Sequence, residues 1–109
     1  MASKISSGDL ISERYGSALY DLASEKKCID SILNDFEVAE KVFKESSELR
    51  HVIRSPLVNS DEKLNILLKI FSQSKLHDLT TTFLKVLNDN KRISNLISII
   101  LQFKKINSE

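Results

Sequence analysis

Turn-forming residues are the scarcest material in this chain. Among 109 residues there are two glycines, Gly8 and Gly16, and one proline, Pro56. An all-β domain needs a turn signal about every 8–12 residues. A chain this poor in turn formers is restricted to helices joined by short polar connections. Its length corresponds to one small domain, able to bury roughly 60–70% of the surface its unfolded form exposes and so to fold without metal or disulfide.

Apolar spacing of three and four then marks out the helices. Met1 to Gly8 is small and polar and reads as a flexible N-terminus, with residues 9–107 forming the domain. Ser7 and Asp9 both suit an N-cap, and the first helix runs to about Glu25, with Lys26 and Lys27 at its electronegative end. A second helix carries Ile29, Ile32, Leu33, Phe36, Ala39, Val42 and Phe43. A short third begins at Ser46-Ser47-Glu48, carries Leu49, Val52 and Ile53, and stops at Ser55-Pro56, because proline disfavours helical geometry in the residue before it. Asn59-Ser60-Asp61-Glu62 opens a fourth in the manner of a capping box, which presents Leu64, Leu67, Leu68 and Phe71. After the polar break Ser72 to Lys75, a fifth presents Leu76, Leu79, Phe83, Val86 and Leu87, with Leu84 to one side. Asn88-Asp89-Asn90 closes it through an asparagine in left-handed geometry. The sixth carries Ile93, Leu96, Ile97, Ile100 and Phe103 or Ile106. The class is all-α, a compact six-helix bundle.

The first helix has more apolar surface than a core requires. At about 100° per residue, Ile11, Tyr15, Ala18 and Leu22 form one stripe, and Leu19, Ala23, Gly16 and Tyr20 the neighbouring one. Together they cover roughly half the helix, where a stripe of about 100° suffices to face a core. One stripe can face a core while the other faces something else. The fifth helix repeats this more weakly, with Leu79, Val86 and Thr82 on one side, Phe83 between, and Leu87 and Leu84 on the other. Burial on two sides within the bundle explains the same surplus equally well.

Other function classes have little support. Sixteen basic against fifteen acidic residues, interspersed along the helices, leave a formal charge of +1. Nucleic-acid binding draws most of its affinity from phosphate contacts and calls for a basic face, so a helical RNA-binding or antitermination-type bundle is the second choice. Cys28 is the only cysteine; it fits a reducing compartment, and its pairing with His51 or His77 as a thiol enzyme has no local signature. A lone cysteine at the start of an amphipathic helix is more often a small core residue. The histidines lack the one-turn spacing of a zinc face, the glycines build no phosphate loop, and Asp61-Glu62 is explained by a helix start. Lys91-Arg92 and Lys104-Lys105 read as solvated charge. No catalytic residue, metal site or cofactor is expected. The N-terminus has no apolar signal region, and Leu96–Leu101 is far shorter than the roughly 18 residues of a spanning helix, so the chain reads as soluble by itself.

Three segments carry a more specific resemblance. Arg14-Tyr15-Gly16-Ser17-Ala18-Leu19-Tyr20-Asp21-Leu22-Ala23 resembles the R-Y-A-x-A-L-F-x-L-A opening of the F-type ATP synthase delta subunit family, whose mitochondrial counterpart is the oligomycin sensitivity conferring protein. Ser55-Pro56-Leu57-Val58 followed by Glu62-Lys63 is similar to that family's S-P-x-x-x-x-x-E-K segment. Phe83-Leu84-Lys85-Val86-Leu87 with Arg92-Ile93 is similar to its F-L-x-L-L…R-L joint. Each is weak alone; their order over most of the chain is specific.

The resemblance implies a six-helix N-terminal domain and a non-catalytic stator role in a proton-translocating enzyme. In the family this domain grips N-terminal helices of the alpha subunits and helps hold the catalytic head against rotation, and a smaller C-terminal domain, absent from this chain, joins the b-type peripheral stalk. Carried over by motif, Tyr15, Ala18 and Leu22 on helix one and Thr82, Phe83 and Val86 on helix five line the groove for the alpha helix, with Ile11 added because it shares the stripe. Membrane association is implied only through the complex, at the cytoplasmic face of a bacterial plasma membrane or, alternatively, at an organellar inner membrane. Gly16 departs from the family's alanine, at roughly 0.5–1 kcal/mol of helix stability.

Overall fold

Five buried residues on one face of the second helix, Ile32, Asp35, Phe36, Ala39 and Phe43, fix where the core lies. The computed structural model describes residues 7–109, with side chains from Leu10 onward. The element order is α1 (Ser7–Glu25), α2 (Ile29–Glu45), α3 (Ser47–Arg54), α4 (Ser60–Ile70), α5 (Asp78–Asp89), a 3-10 turn at Ile93–Asn95, and α6 (Leu96–Ser108). Among the described residues there are six α-helices and no strand. The radius of gyration is 13.4 Å, close to the roughly 13 Å of a compact domain of about 100 residues.

The helix ends follow local chemistry. Ser46 caps α3, its hydroxyl accepting from the Leu49 N–H at 3.1 Å. Asn59 caps α4: its Oδ1 accepts from the Glu62 N–H and its Nδ2 donates to Glu62 Oε1, both at 2.9 Å. That is a capping box closed through the asparagine side chain. The Arg50 guanidinium donates to the carbonyls of Phe43 and Lys44, satisfying the end of α2. Ser7 and Asp9 lie inside α1, not ahead of it, and Ser7 and Gly8 are helical where a flexible segment was expected; the rest of that segment, residues 1–6, lies outside the described residues.

The left-handed positions are not where asparagine was expected to supply them. Asn90 has φ −92°, whereas Lys27, Lys75 and Lys91 have φ of 57°, 51° and 59°. After α1, Cys28 N–H bonds Ala23 O and Lys27 N–H bonds Ser24 O; after α5, Arg92 N–H bonds Leu87 O and Lys91 N–H bonds Asn88 O. Both are Schellman closures, with lysine in the position glycine usually takes.

Helix α6 is the axis of the core. Leu96, Ile99, Ile100 and Phe103 are sealed from solvent, as is Ile93 in the preceding turn. Ile99 takes the buried place that the spacing gave to Ile97, which is half-buried. Helix α1 packs along α6 more extensively than along any other element. Gly16 lies at the close approach of the two helices: a Cβ on it would lie 3.0 Å from Gln102 Cβ and 3.4 Å from the Phe103 nitrogen. Phe103 is flanked by Tyr20 and Phe36, both ring pairs at 5.2 Å, in the tilted and edge-on arrangements that aromatic quadrupoles favour. Lys104, read from sequence as solvated charge, pairs with Glu40 of α2 at 2.6 Å.

Candidate functional site

The two stripes of α1 separate in the fold. Leu19, Ala23 and Gly16 turn into the bundle and are buried, and half-buried Tyr20 packs against the same core and donates from its hydroxyl to Asn107 Oδ1 at 3.2 Å. The other stripe stays at the surface: Ile11 and Tyr15 are half-buried, Ala18 is exposed and Leu22 is 38% exposed. The first stripe closes the core; of the second, Tyr15 still packs against that core, while Ala18 and Leu22 stay open to solvent.

Helix α5 meets this stripe at one point. The rings of Tyr15 and Phe83 approach edge-on with centroids 6.3 Å apart. Phe83 is buried in the core, so it forms the floor between the helices, and Thr82 and Val86 are exposed beside it, Val86 by 41%. Leu84, set aside in the sequence reading, is buried with Leu79, Thr80 and Leu87. The amide of Asn90, past the end of α5, donates to the Tyr15 hydroxyl at 2.9 Å and closes one end of the seam. A hollow of about 380 Å³ lies beside Tyr15, lined by Ile11, Arg14, Ala18 and Arg92. The two arginines, both exposed, put positive charge at the rim of an apolar surface. Neither was singled out by stripe arithmetic, although each stands in a quoted motif. What brings them together is the turn after α5, which periodicity does not describe.

The candidates for other chemistry are not assembled. Cys28 is buried at the start of α2, His51 is exposed, and His77 caps α5, its Nδ1 accepting from the Leu79 N–H at 3.0 Å. Among the described residues no cluster of three or more metal-ligating side chains occurs, and no helix is long and apolar enough to cross a membrane.

Residues 11–109 match the family model for the ATP synthase delta (OSCP) subunit. The chain belongs to that family. The delta (OSCP) assignment is carried independently by relatives named ATP synthase subunit delta. The one from Carboxydothermus hydrogenoformans is 40% identical over 93 residues, covering 85% of this chain and 51% of the relative. That from Nitrobacter winogradskyi is 33% identical over 96 residues, 88% of this chain and 52% of the relative. That from Chlorobium phaeobacteroides is 35% identical over 100 residues, 92% and 55%. The chain thus spans about half the length of the curated relatives it matches. Delta-family membership agrees with the six-helix fold.

Proposed function

We propose that this chain acts as the N-terminal helical domain of an ATP synthase stator and binds an alpha-subunit N-terminal helix along α1 and α5. The role is mechanical and non-catalytic, holding the catalytic head against the turning rotor. The observation that carries the reading is the second stripe of α1: Ala18 and Leu22 remain exposed although the helix already closes the core with Leu19 and Ala23. An amphipathic helix laid over this surface would set apolar anchors at one-turn spacing on Ile11, Tyr15, Ala18 and Leu22, with Phe83 as floor and Thr82 and Val86 as the far wall. Small Ala18 lets the partner backbone approach, and Arg14 and Arg92 favour a partner helix with acidic residues at that end. Attachment to a b-type stalk would belong to the part of the relatives that this chain does not span, and the membrane would be reached only through the complex, at its cytoplasmic face in a bacterium.

The test is titration of the chain with a synthetic peptide of the cognate alpha-subunit N-terminus, followed by heat or NMR shifts. One-to-one saturation, with shifts along α1 and α5 and weakening by Val86→Asp at unchanged helix content, is the expected result. A folded chain that leaves the peptide unbound well above micromolar concentration would overturn it.

A further inference from the structure

The hollow beside Tyr15 carries charge of one sign only. Of the five residues that line it, Ile11, Tyr15 and Ala18 make an apolar floor, and the other two are Arg14 and Arg92. One arginine stands on α1 and the other in the turn after α5, so the fold brings them to one place. Among the described residues the one ion pair is Lys104–Glu40, which leaves both guanidiniums without a carboxylate. The acids nearest to them in sequence do not line the hollow. Glu13 is half-buried and turned about 100° from Arg14 around α1. Asp89 lines a separate cleft, together with Lys91. Two like charges at one hollow, with no acid between them, favour an anion there.

Arginine narrows the choice of anion. Its planar fork stays charged and pairs with the two oxygens of a carboxylate or phosphate. The floor narrows it further. A free phosphate leaves Ile11, Tyr15 and Ala18 uncovered, whereas a side-chain carboxylate on an amphipathic helix arrives with apolar residues one turn away.

We propose that Arg14 and Arg92 together receive one carboxylate of the partner helix and so fix its register on α1 and α5. The apolar stripe does not fix it. Ile11, Tyr15, Ala18 and Leu22 recur at intervals of three and four, so a helix with the same repeat also fits when shifted by a turn. Two cations at one end of the stripe remove that degeneracy, because one register alone sets an acid over them. This rests on the helix-binding function proposed above and adds which feature of the partner decides specificity.

The probe is the peptide of the cognate alpha-subunit N-terminus, with each Asp or Glu replaced in turn by its amide. Each peptide is titrated by calorimetry into the chain and into its Arg14→Gln/Arg92→Gln variant. Both arginines are exposed, so the variant should melt at an unchanged temperature. One replacement alone should weaken binding to the chain about three- to tenfold, as for an exposed ion pair reinforced by a second cation. The variant should bind the unaltered peptide more weakly by a similar factor and lose nothing further on that replacement. The difference between the two chains should shrink at high salt.

Equal binding of the unaltered peptide to both chains, or an even loss whichever acid is replaced, would overturn the register assignment and leave the helix-binding function standing. So would inorganic phosphate at millimolar concentration shifting the NMR signals of both arginine side chains when the bound peptide leaves them unmoved, the mark of a free-anion site. A peptide that binds neither chain would overturn both.

Discussion

The side-chain amide of Asn90 donates a 2.9 Å hydrogen bond to the hydroxyl of Tyr15, joining the turn after α5 to the exposed stripe of α1 across 75 residues. The bond is exposed to solvent, so its effect on stability is small, but it sets the orientation of the ring that meets Phe83. Tyr15→Phe should cost about 0.5–1 kcal/mol of unfolding free energy. Tyr15→Ala should in addition weaken alpha-peptide binding by about tenfold or more, as expected for truncating an aromatic anchor. Calorimetry of both variants with the same peptide separates the two effects.

Asp35 is the polar tie between α2 and α5. Its Oδ2 accepts from the His77 N–H at 2.9 Å and from the Thr80 hydroxyl at 2.6 Å, while the side chain is 6% exposed. Asp35→Ala strands both donors, and bonds to a charged group contribute about 1.5–3 kcal/mol each, so a loss of ~2–4 kcal/mol is expected in urea unfolding. Thr80→Val should cost less, because the His77 bond survives it.

Gly16 sits in tight space, since a Cβ there would lie 3.0 Å from Gln102 Cβ and 3.4 Å from the Phe103 nitrogen of α6. Gly16→Val should destabilise the chain by about 1–3 kcal/mol through overpacking of the α1–α6 seam. An unchanged melting temperature would show that the seam relaxes freely.

Lys27 closes α1 at φ 57°, a conformation that costs an L side chain about 1 kcal/mol relative to glycine. Lys27→Gly should therefore raise stability by up to about 1 kcal/mol, the reverse of the usual effect of glycine in a helix. Thermal melts of the two chains decide it.

Lys63 gives a pH signature of definite sign. Its folded-state pKa lies below the ordinary 10.5, through burial, so the unfolded chain binds this proton more tightly. The resulting destabilisation is fully present below the folded pKa and is relieved as pH rises from there to 10.5. Stability attributable to this group should rise with pH across that window, and the rise should vanish in Lys63→Met when unfolding is followed at several alkaline pH values.

The reading from sequence succeeded where one helix decides the matter by itself. Scarcity of glycine and proline excluded a sheet-rich fold, Pro56 marked the mid-chain corner, and Ser46 and Asn59 announced their helices because a cap acts within three residues of itself. The doubling of the apolar face on α1 was also legible, since stripe geometry depends only on spacing. Which stripe is buried was not. That depended on α6, which arrives about eighty residues later in sequence and packs on Gly16, leaving Ala18 and Leu22 outside.

The remainder required neighbours. Asp35 and Lys63 look like ordinary solvated charges in the sequence, and only the packing of α2 on α5 and of the α3–α4 corner near α5 buries them. Three lysines took the left-handed turns because helix exit directions fixed the backbone there, whatever the local preference for asparagine. Ile99 displaced Ile97 from the core because an almost continuously apolar helix presents several candidate faces, and the 3-10 turn before α6 selects one. The sequence by itself determined helix class, most helix ends and the existence of a surplus apolar face, all set by interactions within a turn or two. The tertiary structure alone decided which faces meet, and so which charges are buried and which apolar stripe is left for a partner.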